Sequence, residues 1–168
     1  ELEFGMLNIT IIGMPGSGKT TLGKKLAKEF GKEFVDLDVL FKDEYKDTPS
    51  NIIQTKGEDE FRRMETELVK KYLPKSGLVI STGGGVVTRD VNEFFLKCNS
   101  KVIYLKRPLK SLLLQDTSNR PMSKNKGIEA LLEARTPLYE KMCDVVWDLP
   151  DFEDERAVLS NYKKELSK

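Results

Sequence analysis

Eight residues near the start of the chain, Gly13-Met14-Pro15-Gly16-Ser17-Gly18-Lys19-Thr20, have types and spacing suited to holding phosphate. They satisfy the pattern G-x-x-x-x-G-K-[ST]. Glycines let backbone N–H groups turn toward phosphate oxygens, and the N-terminus of a following helix adds its positive dipole end. Lys19 would then reach the β- and γ-phosphates, and the Thr20 hydroxyl would take a place on Mg²⁺. The motif needs a strand before it and a helix after it. Leu7 to Ile12 is a short apolar, β-branched run, and Leu22, Leu26, Ala27 and Phe30 follow at helical spacing. The pattern implies a nucleoside triphosphate site.

Catalysis by such a domain is mostly positioning and charge neutralisation, with an acceptor at the carboxyl ends of the strands. Five further groups are candidates for that site, the aspartate pair and the triglycine at strand ends and three arginines elsewhere. Asp36 and Asp38 are two residues apart, so both carboxylates point the same way if the second strand persists that far. One would orient or deprotonate a hydroxyl while the other binds its neighbour, or one aspartate would simply cap a helix. Arg62 has a guanidinium fork suited to a carboxylate or phosphate, but Glu58, Asp59 and Glu65 stand three or four residues away and offer local ion pairs. Gly83-Gly84-Gly85 would let a ligand lie on bare backbone, or would form a flexible loop. Arg120, stiffened by Pro121, is either a mobile arginine closing over the transferring phosphate or a solvated one, and Arg135 is similarly open.

The elements that must position these groups are legible in outline. Strands are expected at 7–12, 33–37, 78–80, 101–105 and 145–147. Helices are expected after Lys19, from about Asp38, from Thr48-Pro49, over Glu58 to Leu73, over Pro108 to Asp116, over Ile128 to Tyr139, and in a tail from Glu153 with Val158, Leu159, Tyr162 and Leu166 on one face. Thr117 to Lys126 reads as a polar, turn-rich loop. Strands alternating with helices imply a parallel sheet covered on both sides.

The 168 residues suit one domain. Lys and Arg number 28 against 27 Asp and Glu, so no global basic field recommends nucleic acid or an anionic membrane. Histidine is absent, which excludes a Ser-His-Asp triad, a Cys-His pair and a His-ligated metal. Cys98 and Cys143 have no C-x-x-C spacing, and the expectation is a cytoplasmic chain with reduced thiols. No apolar run approaches the ~20 residues that span a bilayer. Residues 1–5, before Met6, read as an expression remnant.

Taken together, the ordered set resembles the shikimate kinase family. The matching residues are Gly13 through Thr20 with Thr21-Leu22-Gly23, Asp36-Leu37-Asp38, Gly57-Glu58, Phe61-Arg62-Arg63 and Glu65. They continue with Gly83-Gly84-Gly85, Arg120-Pro121 and Arg135-Thr136-Pro137-Leu138-Tyr139. The resemblance implies a three-layer α/β/α fold of the phosphate-loop NTPase type, like the nucleoside monophosphate kinases, with a five-stranded parallel sheet. It implies one domain over 6–168, an acceptor-binding region at about 38–65 and a lid at about 116–126. The activity implied is transfer of the γ-phosphoryl of ATP to the 3-hydroxyl of shikimate, with Mg²⁺, in aromatic amino-acid biosynthesis, by a monomer.

Carried over by residue, Gly16, Ser17, Gly18, Lys19, Thr20, Thr21 and Arg120 would bind nucleotide. Lys19, Asp36 and Arg120 would act on the transferring group, with Thr20 on Mg²⁺ and Asp36 reaching it through water. Asp38, Arg62, Glu65, Gly83, Gly84, Gly85 and Arg135 would form the acceptor site, Arg62 and Arg135 clamping its carboxylate. The chain departs from the family in Leu114-Gln115-Asp116-Thr117-Ser118-Asn119, which lacks an arginine that would stack on adenine. It departs again in Met122-Ser123, where a leucine pair is usual. Two other readings stand beside this one: a sugar-acid kinase of the same fold, such as a gluconate kinase, and a kinase-like module that binds ligands without turnover.

Overall fold

The central strand explains the architecture. β1 (Asn8–Ile12) is buried at every position, as a strand must be when helices cover both faces of its sheet. In the computed structural model, which describes residues 7–115 and 122–149, β1 is joined by β2 (Glu33–Asp36), β3 (Leu78–Ser81), β4 (Ser100–Lys106) and β5 (Val145–Asp148). The order is β2-β3-β1-β4-β5, and every pairing is parallel. Ile11 stands opposite Ser81 on one side and Ile103 on the other. From β1 the chain crosses to the edge strand β2, returns to β3 beside β1, and then adds β4 and β5 on the other side, so the connections leaving β1 and β3 run in opposite directions and open a crevice at the carboxyl ends of the strands.

Side-chain alternation sorts the core into two layers. Ile9, Ile11, Val79, Ile103 and Leu105 meet Leu22, Leu26 and Ala27 of helix α1 (Lys19–Phe30) on one face. Ile12, Ile80, Val102 and Tyr104 face the other way. They pack on Val69 of α4 (Glu58–Tyr72), Leu96 of α5 (Val91–Cys98), Leu112 of α6 (Leu109–Gln115), and Tyr139 and Met142 of α7 (Met122–Met142). A third, smaller cluster joins Phe41 of α2 (Leu37–Tyr45) and Ile52 of α3 (Pro49–Lys56) to Phe61, Met64 and Leu68 of α4. That cluster is the platform on which α4 lies.

Helix ends follow local chemistry. Gly31 closes α1 in the left-handed conformation, φ 63°. Thr48 caps α3 through Asn51 N, with Pro49 in the first turn. Glu58, Asp59 and Glu60 crowd the first turn of α4, where the dipole favours negative charge.

Three expectations need correction. β2 stops at Asp36, and Leu37 already begins α2, so Asp36 and Asp38 do not share a strand face. Asp36 itself caps α2 by accepting from Asp38 N at 2.9 Å, and that bond bends the chain out of the sheet. The turn-rich reading of 117–126 fails from Met122 onward, because α7 starts there. Nothing in Met122–Lys126 breaks a helix, and the one glycine, Gly127, costs only about 1 kcal/mol inside it. Helix α5 went unassigned in the sequence, being eight residues long with only Asn92 and Leu96 fully buried. Arg120 and the tail from Glu153 lie outside the described residues.

Candidate active site

The loop between β1 and α1 is shaped by three glycines with positive φ, Gly13 at 153°, Gly16 at 79° and Gly18 at 95°, the last standing at the start of α1. The end of β4 presses on the same loop. A Cβ on Gly13 would stand 2.7 Å from the Leu105 carbonyl oxygen, and the buried Arg107 donates from Nε to the Ser17 carbonyl at 2.9 Å. Lys19 is 8% exposed, and its Nζ donates to the carbonyls of Gly13 and Met14 at 2.9 and 2.8 Å. Burial lowers its pKa to about 8; the charges of Asp38 and Asp36 oppose that shift, and Arg135 adds to it.

The phosphate loop and β2 meet in one hydrogen bond. Thr20 Oγ1 donates to Asp36 Oδ2 at 2.9 Å, while Asp36 Oδ1 accepts from Asp38 N. Asp38 faces the open crevice. Partial desolvation raises its pKa, as does the charge of Asp36, against Lys19 and Arg62. A cavity of about 390 Å³ is lined by Gly16, Gly18, Lys19, Thr20 and Thr21 together with Asp36, Asp38, Ser81, Thr82 and Gly84. Ser17 is buried behind the loop.

The triglycine turn is filled by the protein itself. A Cβ on Gly83 would stand 3.0 Å from Glu65 Oε2 and 3.3 Å from Asp38 Oδ1; on Gly84 it would strike Pro15 Cδ at 2.6 Å; on Gly85 it would overlap the Arg62 guanidinium. Each missing side chain therefore makes room for a named neighbour. Tyr139 fixes the turn from α7, its hydroxyl donating to the Gly84 carbonyl at 2.6 Å. Burial pushes that phenol up to about 12, so it remains a donor at any working pH.

Arg62 makes the local ion pairs its neighbours offered, to Glu65 at 2.9 Å and Glu58 at 3.4 Å, but not to Asp59. It also lies 4.9 Å from the centre of the Phe61 ring. Its Nε is buried and has no hydrogen-bond partner among the described residues. Glu65 is 4% exposed, and burial raises its pKa against the opposing charge of Arg62. Arg135, half-buried one turn before Tyr139 on α7, is close enough to act electrostatically on Lys19, Glu65 and Tyr139. Of the sequence-predicted site residues in the described range, Gly16, Gly18, Lys19, Thr20, Thr21, Asp36, Asp38 and Gly84 line one crevice, while Ser17, Arg62, Glu65, Gly83, Gly85 and Arg135 do not line it. Arg62 itself lines a second cavity of about 400 Å³ with Glu58, Asp59, Thr88 and Arg89.

Sequence reasoning missed Ser81, Thr82, Arg89 and Arg107, and gave Pro15 and Tyr139 no task of their own. A charged residue directly after the apolar β4 run was an available signal for Arg107. No local pattern announces a contact such as Tyr139 with Gly84, 55 positions apart. Among the described residues no group of three or more His, Cys, Asp or Glu could hold a metal. The hard oxygens of Thr20 and Asp36 fit Mg²⁺, which keeps waters and shares phosphate oxygens instead of taking a full protein cage. No helix among the described residues is long and apolar enough to cross a membrane.

Comparison with known proteins gives a consistent result. A family model described as shikimate kinase matches residues 15–166. A shikimate kinase from Clostridium botulinum strain Eklund 17B is 40% identical over 138 residues, covering 80% of this chain and 83% of its own. Another, from strain Langeland, is 35% identical over 166 residues, covering 95% and 98%. The structure of an Acinetobacter baumannii shikimate kinase in complex with shikimate superposes with a TM-score of 0.88 at 30% identity, covering 96% of this chain and 94% of that one.

Proposed function

Because the chain belongs to the shikimate kinase family, we propose that it transfers the γ-phosphoryl of ATP to the 3-hydroxyl of shikimate, releasing ADP and shikimate 3-phosphate. The observation that supports this most is the position of Arg62, whose guanidinium fork suits a carboxylate, against the triglycine turn whose Gly84 lines the phosphate-loop crevice. A generic phosphate-loop domain has no need of it.

In this reading the loop amides and Lys19 hold the β- and γ-phosphates, with Lys19 protonated. Bound phosphate raises its pKa from about 8, so the ammonium persists in the complex. Thr20 and, through water, Asp36 would hold Mg²⁺, which neutralises phosphate charge when bound. Asp36, tied to Thr20, accepts the hydrogen bond of the attacking hydroxyl and orients its lone pair toward phosphorus. The γ-phosphorus bond to the bridging oxygen of ADP breaks as the new P–O bond forms, and the hydroxyl proton passes along its hydrogen bond to Asp36 and then to solvent. Asp38 binds a neighbouring hydroxyl. Arg62 and Arg135 bind the carboxylate, with Glu65 holding the Arg62 fork and Gly84 offering its backbone N–H. Arg120, outside the described residues, is assigned to the transferring phosphoryl. The acceptor region is placed at about 38–65 and the lid at about 116–126.

The protein is proposed to act as a cytoplasmic monomer. Phosphorus NMR of a reaction containing Mg-ATP and shikimate tests the assignment: a phosphomonoester resonance of shikimate 3-phosphate should grow with ADP. ADP and inorganic phosphate without that ester would overturn it.

A further inference from the structure

The turn after β3 is clasped to α4 by two arginines that reach in opposite directions. Arg62, on α4, lays its guanidinium where a Cβ on Gly85 would stand. Four residues beyond Gly85, Arg89 reaches back to the backbone that carries Arg62. Its Nη1 donates to the Arg62 carbonyl at 3.2 Å and to Thr66 Oγ1 at 2.8 Å. Thr66 is 3% exposed and sits one turn after Arg62, so one guanidinium nitrogen grips both ends of that turn.

The rest of α4 is held mainly by apolar contacts of Phe61, Met64 and Leu68 with the platform helices and of Val69 with the sheet; its other directional contacts, Tyr45 Oη to the Met64 carbonyl at 3.2 Å and the exposed Lys71–Glu44 pair, both reach the platform and not the turn after β3. Apolar burial is non-directional and tolerates small slides and rotations. Charge-assisted hydrogen bonds do not. A long arginine side chain magnifies any such slide at its guanidinium, and small misplacements of a binding group are costly. The two positive charges are tolerated together because Glu58 and Asp59 line the same cavity as Arg62 and Arg89.

We propose that Arg89 is a positioning residue for acceptor recognition, fixing the turn of α4 that carries Arg62. The proposal rests on the reading of Arg62 as the acceptor carboxylate's partner. Steady-state kinetics with shikimate and ATP varied separately test it in Arg89→Ala, Arg89→Lys, Thr66→Val, Arg62→Ala and the Arg62→Ala/Arg89→Ala pair. Arg89→Ala should raise the shikimate KM by about tenfold, while kcat and the ATP KM stay within about twofold. Arg89→Lys keeps a charged donor and should restore most of the loss. Thr66→Val should move the same constant in the same direction by less. Against the Arg62→Ala background, Arg89→Ala should add nothing, since the two act as one unit.

An equal rise in the ATP KM, a fall in kcat alone, or an undiminished effect in the Arg62→Ala background overturns the proposal. If Arg62→Ala raises the shikimate KM and Arg89→Ala does not, only the role of Arg89 falls. If Arg62→Ala itself leaves that constant unchanged, the carboxylate reading falls and takes the proposal with it. Should Arg89→Ala not fold, Thr66→Val decides, and its unchanged shikimate KM refutes the clasp.

Discussion

Replacing Arg62 by alanine should produce two separable losses. The first is in stability. Glu65 is 5% exposed in its side chain and Arg62 12%, so the substitution leaves a buried carboxylate without its main partner. Removing one member of a fully buried pair costs about 3–5 kcal/mol. Glu65 can escape part of that by taking a proton, and Arg62 is not wholly buried, so about 2–4 kcal/mol is expected at pH 7.

The sign of the pH dependence follows from Glu65. Its folded pKa lies above its unfolded value of 4.5, and the variant raises it further. The folded state therefore binds more protons, and the deficit grows as pH rises above 4.5 and shrinks below it. Urea unfolding followed by circular dichroism at pH 4.5 and 7 measures this directly. The second loss is in acceptor binding, by roughly 2–5 kcal/mol if the carboxylate pair is desolvated, with nucleotide binding spared. That corresponds to a shikimate KM raised on the order of thirtyfold or more. Arg62→Lys should regain much of the stability but little of the affinity, because an ammonium lacks the planar fork. A deficit that does not vary with pH, or an unchanged shikimate KM, refutes the reasoning.

Lys19, with its amine lowered to about 8, is charged below that pH in the free protein, so calorimetry should show ATP affinity flat to pH 8 and weakening by up to tenfold per unit above it. Affinity constant to pH 9.5 contradicts this, and Lys19→Ala should abolish phosphoryl transfer. Gly85→Ala places a methyl inside the Arg62 guanidinium, so it should raise the shikimate KM while a fluorescent ATP analogue binds unchanged. Asp36→Ala removes the cap of α2 and the partner of Thr20; it should cost about 1 kcal/mol in thermal unfolding and most of the turnover. Tyr139→Phe strips the donor from the Gly84 carbonyl and should lower stability by about 1 kcal/mol, checked by urea titration.

How much of this was readable without coordinates depended on how local the signal was. The phosphate loop sits between a β-branched run and an amphipathic helix, so Lys19 and Thr20 could be placed from spacing alone. β1 and β3 are buried on both faces and read as plain apolar runs. Asp36 was harder, because whether a strand persists two more residues is decided by a cap that closes on Asp38 N, and either outcome fits the residues. The triglycine reads as important, but nothing local shows what fills the space its missing side chains leave. Its vacancies are taken by Pro15 from the phosphate loop and by Arg62 and Glu65 from α4. Arg89, Arg107 and Tyr139 act through contacts with distant main-chain carbonyls, and such contacts leave no periodic trace.

The central claim is that one crevice couples a phosphate loop to shikimate as the hydroxyl acceptor. ADP release from Mg-ATP, measured with no acceptor, with shikimate and with gluconate, tests it most directly. The account predicts slow release alone, strong stimulation by shikimate, and none by gluconate. Release unaffected by shikimate, or stimulated by gluconate instead, would contradict it.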